Sequence, residues 1–186
     1  MPFLVNQLPK GPYFGIVAEF GTPADLFHAC ERVRDAGFTR WDAHTPFPVH
    51  GLEGAMGIRR SLLPWIVLIA GLTGAVFGFG LQWWVHASAY PLVISGKPYF
   101  SWPAFIPITF EVMVLVAAFA ALLASFFLSG LPRPHHPVFN EPRFARASQD
   151  RFFLCIETTD PRFDMAGTRD FLAGLRPYGP IMEVPE

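Results

Sequence analysis

Two runs of the chain, Leu62 to Trp84 and Ala104 to Leu128, contain between them a single charged residue, Glu111. Each is roughly 20 to 25 residues long, and at about 1.5 Å rise per residue such a helix crosses the approximately 30 Å hydrocarbon core of a bilayer. Both runs predict transmembrane helices, so the first expected partner is the lipid bilayer. Of the 186 residues 52% are hydrophobic, more than a soluble domain requires, and the excess lies in these runs. What remains, Met1 to Arg60 and Leu131 to Glu186, is two polar pieces, each short for a core of its own. The formal net charge of −1 supplies no basic stripe, which excludes nucleic acid as a partner.

Flanking charge orients the pair. Arg59 and Arg60 precede the first run, and Arg133, Arg143, Arg146 and Arg151 follow the second, whereas the segment between them carries only Lys97. The positive-inside rule then places both termini in the cytoplasm and the connector, residues 86–103, in the periplasm of a Gram-negative bacterium. Trp83, Trp84, Tyr90, Tyr99 and Trp102 gather at that boundary, where amphipathic rings favour the headgroup region. The start, Met1-Pro2-Phe3-Leu4-Val5, has no basic leader, long apolar segment or small-residue cleavage site, so no secretory signal is expected. Small residues recur every four positions in both helices: Ala70, Gly74 and Gly78 in the first, Ala117, Ala121 and Ser125 in the second. Such stripes let backbones approach closely where lipid removes the hydrophobic drive, and they are expected to face each other. Gly71 and Gly80 are left over for a second protein.

The polar pieces share one plan. In the first, Tyr13 to Phe20 reads as a strand and Thr22-Pro23-Ala24-Asp25 as a helix start, with Leu26, Ala29, Cys30 and Val33 as the inward face. Gly37 suits its end, and Phe38 to Asp42 resumes a strand. In the second, Phe152 to Glu157 is a strand, Asp160-Pro161 a start signal, a helix runs through Leu175, and Ile181 to Val184 closes as a strand. Aligning Glu19 with Glu157 puts Phe14, Ile16 and Ala18 opposite Phe152, Leu154 and Ile156 as one apolar face. Two β-α-β units of this kind are the halves of a ferredoxin-like α/β sandwich, here split by the membrane hairpin. The expected divisions are residues 1–60, 61–85, 86–103, 104–129 and 130–186: half-domain with proline-rich linker, helix, loop, helix, half-domain. The other sheet face, with Val17, Phe153 and Cys155, is too apolar for exposure and calls for a partner or linker to cover it.

No nucleophile elbow, phosphate loop, dinucleotide fingerprint or zinc signature occurs, so no catalytic residue is assigned. Cys30 and Cys155 lack any CxxC spacing and read as reduced, packed thiols; no metal or cofactor ligand set is expected. Asp42, His44 and His50 carry ligand chemistry, but Pro46 and Pro48 between them impose an extended path, so this stretch, with Phe47, reads as a linker that packs on a partner. His135 and His136, between Pro134 and Pro137, read as interfacial or solvated. Glu111 is the demanding residue: a carboxylate inside a membrane helix must face protein or water. It belongs either to a proton path or, if the helix begins at Pro107, about one turn inside the positive end of the helix dipole.

Several stretches carry a resemblance: Asp42-Ala43-His44-Thr45-Pro46-Phe47-Pro48-Val49-His50-Gly51, Ala55-Met56-Gly57, Leu81-Gln82, Tyr90-Pro91, Gly96-Lys97-Pro98, and Pro103-Ala104-Phe105-Ile106-Pro107-Ile108-Thr109-Phe110-Glu111. Over nearly its whole length the chain resembles the ActD subunit of bacterial alternative complex III. The resemblance implies membership of a quinol-oxidising respiratory complex that passes electrons to a cytochrome c, a high-potential iron-sulfur protein or a terminal oxidase. It implies that haem c and iron-sulfur clusters sit in partner subunits, that quinol chemistry belongs to multi-helix membrane subunits, and that this subunit is a non-catalytic scaffold in the bacterial inner membrane. The alternative is a free-standing membrane sensor whose ferredoxin-like domain binds a small ligand or metal. A small membrane enzyme using Glu111 and His44 is a third reading.

Overall fold

The computed structural model of the chain describes residues 12–186, and the reading of Met1-Pro2-Phe3-Leu4-Val5 lies outside the described residues. The chain divides into two compact units: the described residues up to Arg59 together with Arg133–Glu186, and Arg60–Pro132.

The first unit is a four-stranded antiparallel sheet with helices. Strand β1 (Tyr13–Phe20) leads into helix α1 (Pro23–Asp35) and strand β2 (Trp41–His44), and a short helix α2 (Leu52–Met56) follows. After the second unit come β3 (Phe152–Glu157), α5 (Met165–Gly174) and β4 (Met182–Pro185). The strand order is β2-β3-β1-β4. Ile16 pairs with Ile156, Ala18 with Leu154 and Phe20 with Phe152, and these side chains are buried on one face against Leu26, Cys30 and Val33 of α1 and Leu172 of α5. The opposite face, with Val17, Phe153, Cys155, Met182 and Val184, is closed by Val138, Phe144 and Ala147. Those three lie in two 3₁₀ turns, Pro137–Asn140 and Pro142–Ser148, so the chain's own linker covers this apolar face.

Three local expectations shift, each for a physical reason. Phe14 packs with the linker-covered face and not with Ile16, because the β1·β4 register shifts between Tyr13 and Gly15. Gly15 is needed there: a Cβ would lie 2.5 Å from the Ile156 carbonyl oxygen. The second helix begins at Met165 with Asp164 as its cap, accepting from Gly167 N, and not at Asp160-Pro161. Asp160 is fully buried and otherwise engaged: its carboxylate accepts from the backbone N of Thr39 at 2.6 Å, of Arg40 at 2.7 Å and of Arg162 at 2.8 Å. Those bonds also explain why β2 begins at Trp41 and not at Phe38. The α1 start holds as read, with Thr22 Oγ1 accepting from Asp25 N at 3.2 Å.

The second unit is two long helices, α3 (Leu63–Trp84) and α4 (Trp102–Leu128). A π-helical turn, Val85–Ala89, extends α3, so the connector is residues 90–101, shorter than the loop read from sequence. Both helical stretches run 27 residues and are long and apolar enough to cross a membrane. Trp83, Trp84, Tyr90, Tyr99 and Trp102 are all exposed near the connector. Pro107 lies inside α4, not at its start, which moves Glu111 to about two and a half turns from the helix N-terminus.

Burial alone raises the Asp160 pKa, but the three backbone N–H donors and the Thr39 hydroxyl outweigh it and hold the carboxyl below its ordinary value. A depressed folded pKa gives stability that is present above the unfolded value, about 3.9, and is lost as pH falls through the folded one. Asp160→Ala is expected to cost about 2–3 kcal/mol, since it removes the shared acceptor of the Thr39, Arg40 and Arg162 N–H groups. It is also expected to remove part of the acid sensitivity below about pH 4. Protease resistance of the first unit in detergent, titrated from neutral pH downward, reads both effects.

Candidate functional site

The hairpin is built on a close approach of two backbones. Gly71, Gly74 and Gly78 are buried, and a Cβ at Gly74 would lie 2.9 Å from Val116 Cβ and 3.0 Å from the Val112 carbonyl oxygen. At Gly78 it would lie 3.0 Å from Val112 Cβ, whereas at Gly80 it would meet nothing within 4 Å. The partners of Gly74 and Gly78 are thus valines, and the alanine stripe is met by Gly71, whose Cβ would sit 3.6 Å from that of Ala117. Gly71, read as free for a second protein, packs inside the hairpin. Ala70 and Ala121 are half-buried, and Ser125 donates to the Ala121 carbonyl at 2.7 Å.

Gln82, Thr73 and Ser125 find hydrogen-bond partners in the hairpin itself, and Glu111 does not. Gln82 is buried, and its Nε2 donates to the Gly78 carbonyl at 3.0 Å, the Phe105 carbonyl at 3.1 Å and Thr109 Oγ1 at 3.2 Å. This amide ties α3 to α4 where Pro107 offers no N–H to the carbonyl four residues before it. Phe79, Phe100 and Phe105 pack edge-to-face beside it. Thr73 donates to the Ile69 carbonyl at 2.8 Å. Glu111 is exposed and has neither hydrogen bond nor ion pair among the described residues. Sequence reasoning gave Gln82 no role; the available signal was a lone amide in an otherwise apolar helix.

The stretch read as one linker divides: Asp42 and His44 lie on strand β2, paired with β3, whereas Phe47 and His50 follow it. His44 sits half-buried with its ring edge-on to Phe144 at 4.9 Å, and Phe47 packs on Phe152 at 5.5 Å while remaining half exposed. Asp42 is exposed and accepts from Ala43 N at 2.8 Å; His50 is exposed. The path after Pro48 is not extended throughout: α2 turns back toward α1, and Arg34 Nη1 donates to the Gly54 and Ala55 carbonyls at 3.2 and 3.0 Å. No group of three or more His, Cys, Asp or Glu side chains converges on a metal-sized site among the described residues. His135 is exposed beside Asn140, whereas His136 is half-buried edge-on to Phe14, 5.0 Å away. Burial lowers the pKa of both His44 and His136; Asp42 pulls His44 the other way, and Arg133 adds to the lowering at His136. Cys30 and Cys155 are buried and free, on opposite faces of the sheet. Burial pushes the Cys30 thiol up to about 12 and the Cys155 thiol up as well, so both are held as unreactive thiols.

One cluster went unread. Glu19 is fully buried, with Oε2 2.8 Å from Arg143 Nη2, and Oε1 3.4 Å from Arg151 Nε and 3.8 Å from Arg146 Nη1. The Arg151 guanidinium also lies over the Tyr178 ring at 3.9 Å. Three arginines that sequence reading used only for membrane orientation therefore hold one buried carboxylate of β1.

Gly74 and Gly80 make an internal comparison. Gly74→Ala forces a methyl group against Val116 and the α4 backbone and is expected to destabilise the hairpin by about 1–3 kcal/mol, whereas Gly80→Ala is expected to be neutral or slightly stabilising. Thermal unfolding of the two variants in one mild detergent gives the comparison.

The family model for the alternative complex III ActD subunit matches residues 14–179, which takes in all of the second unit and most of the first. No curated protein matches the chain.

Proposed function

The chain belongs to the family of ActD subunits of alternative complex III, and from that membership we propose that it is a non-catalytic membrane scaffold of a quinol-oxidising respiratory complex. The complex passes electrons to a cytochrome c, a high-potential iron-sulfur protein or a terminal oxidase. The observation that carries the reading is that a single family model runs through both units, residues 14–179. In this reading haem c and iron-sulfur clusters belong to partner subunits, quinol chemistry to multi-helix membrane subunits, and this chain supplies contacts.

The soluble unit is read as a split ferredoxin-like domain, supported by its repeated β-α-β order and by the strand order β2-β3-β1-β4. Ala70, Gly74, Gly78, Ala117 and Ala121 are read as helix-packing positions, and the exposed Asp42 of β2, with Phe47 and His50 of the segment after it, as partner contacts, while His44 packs against Phe144. The protein is placed in the bacterial inner membrane with both termini cytoplasmic, on the arginine bias. Supporting this, Glu19 before the hairpin meets Arg143, Arg146 and Arg151 after it. An ion pair of that kind needs both flanks on one side of the bilayer.

Cysteines introduced at Ser95 and Ser148, both exposed, are expected to label from opposite sides of the membrane. The buried Cys30 and Cys155 keep the background low. Labelling of both from the same side would remove the proposed topology.

For the scaffold role itself, deleting the subunit is expected to lower the yield of intact complex several-fold. Whatever complex still assembles should oxidise quinol at near the parental rate per haem. A haem-stained native gel of gently solubilised membranes, probed for this chain, measures the first quantity, and quinol oxidation by the excised complex the second. Full yield without the subunit, or a chain that migrates apart from haem, would contradict the scaffold reading.

A further inference from the structure

Glu111 is the one acidic side chain in the two long helices, and it points away from the hairpin contact. The α4 residues that meet α3 include Val112 and Val116, the neighbours of Gly74 and Gly78. On the outer side, one turn either way from Glu111, stand Ile108 and Leu115, 50% and 56% exposed. The carboxylate is thus set in an apolar face that a bilayer or another membrane helix must cover. Lipid is a poor cover: on membrane-insertion scales a carboxylate near the helix centre is disfavoured on the order of a hundredfold. The hairpin also treats its other polar groups differently. Thr73 and Ser125 donate to carbonyls of their own helices and Gln82 to α4, whereas Glu111 makes no such bond among the described residues.

We infer that Glu111, with Ile108 and Leu115, forms a docking surface for a transmembrane helix of another subunit that presents an arginine or lysine to the carboxylate. The inference rests on the scaffold reading and adds to it which face of the hairpin carries the contact and what chemistry the partner brings. An ion pair formed between two helices leaves no charge facing lipid, and removing one partner strands the other, which is why such a pair fixes the register of two helices.

The test uses the intact complex. A photoreactive phenylalanine analogue at Leu115 is expected to cross-link to a membrane helix of a partner subunit, at a peptide with an arginine or lysine within about one helical turn of the attachment point. Cross-linking to lipid alone, to a second copy of this chain, or to a helix stretch without a basic residue would overturn the inference. Glu111→Gln keeps size and hydrogen-bonding capacity but not charge. It is expected to reduce retention of the subunit through a stringent detergent wash on the order of tenfold, and Glu111→Asp less. Retention equal to the parental would overturn the inference. Infrared difference spectra of the parental and Gln complexes are expected to show loss of ionised carboxylate bands. Loss of a protonated carboxyl band would mean that the cover is a proton and not a cation, which also overturns it. The two readings fail separately. A parental chain that stays with the haem-bearing complex while Leu115 marks only lipid removes this contact and leaves the scaffold; a parental chain recovered apart from haem removes both.

Discussion

Every ladder of the sheet crosses the inserted hairpin. Strand β1 pairs with β3 and β4, and β2 pairs with β3; β1 does not pair with β2, nor β3 with β4. Neither half-domain therefore contains a strand pair of its own, and the first has no sheet at all until the second arrives. Backbone N–H and C=O groups buried in β1 would otherwise lack partners, which is costly enough to make independent folding of the halves unfavourable. The cost of bringing distant strands together grows only slowly with the length of the closed loop, so a large insertion between β2 and β3 is tolerable. The helical hairpin is a natural insertion because it brings its two ends back together. Asp160 reinforces the same joint, holding the backbone of Thr39 and Arg40 from across the insertion.

Much of this was legible from the residues. The alternation Ile16, Ala18, Phe20 against Phe152, Leu154, Ile156 gives the helix-covered face because side chains on a strand repeat every two positions. Thr22 and Pro23 announce α1 because capping chemistry is local. What failed was set by contacts distant in sequence. Phe14 follows the alternation but a register shift sends it to the other face. Asp160-Pro161 has the signature of a helix start, yet the carboxylate is occupied by Thr39 and Arg40, and the start moves to Asp164. Such a competition leaves no trace in a local pattern.

The candidate surfaces show the same division. Small residues at four-residue spacing predict close helix approach, and Gly74 and Gly78 do lie against α4; that they meet Val112 and Val116 depends on the rotation of α4, which spacing alone does not fix. Glu111 was conspicuous by its charge, but its direction was not, and Pro107 pointed to the wrong helix start. Proline at the first turn and proline within a membrane helix look alike in sequence; a neighbouring helix can make up for the donor that the second kind removes. Gln82 supplies amide donors to α4 near that point, a role visible only once the two helices are side by side.

In the proposed topology, membrane insertion and folding of the first unit are coupled by the same arginines. A positive-inside bias acts on charge near the ends of the spans, whatever those side chains later touch. Arg143, Arg146 and Arg151 then meet Glu19, which is fully buried and would be an uncompensated charge without them. Losing one span would put β1 and β3 on opposite sides of the bilayer and leave Glu19 with no cation, so in that topology a chain that inserts an odd number of spans cannot complete its sheet. The pairing of β1 with β3 thus acts as a check on insertion: in the proposed topology, the domain closes only around a hairpin that crosses the membrane an even number of times.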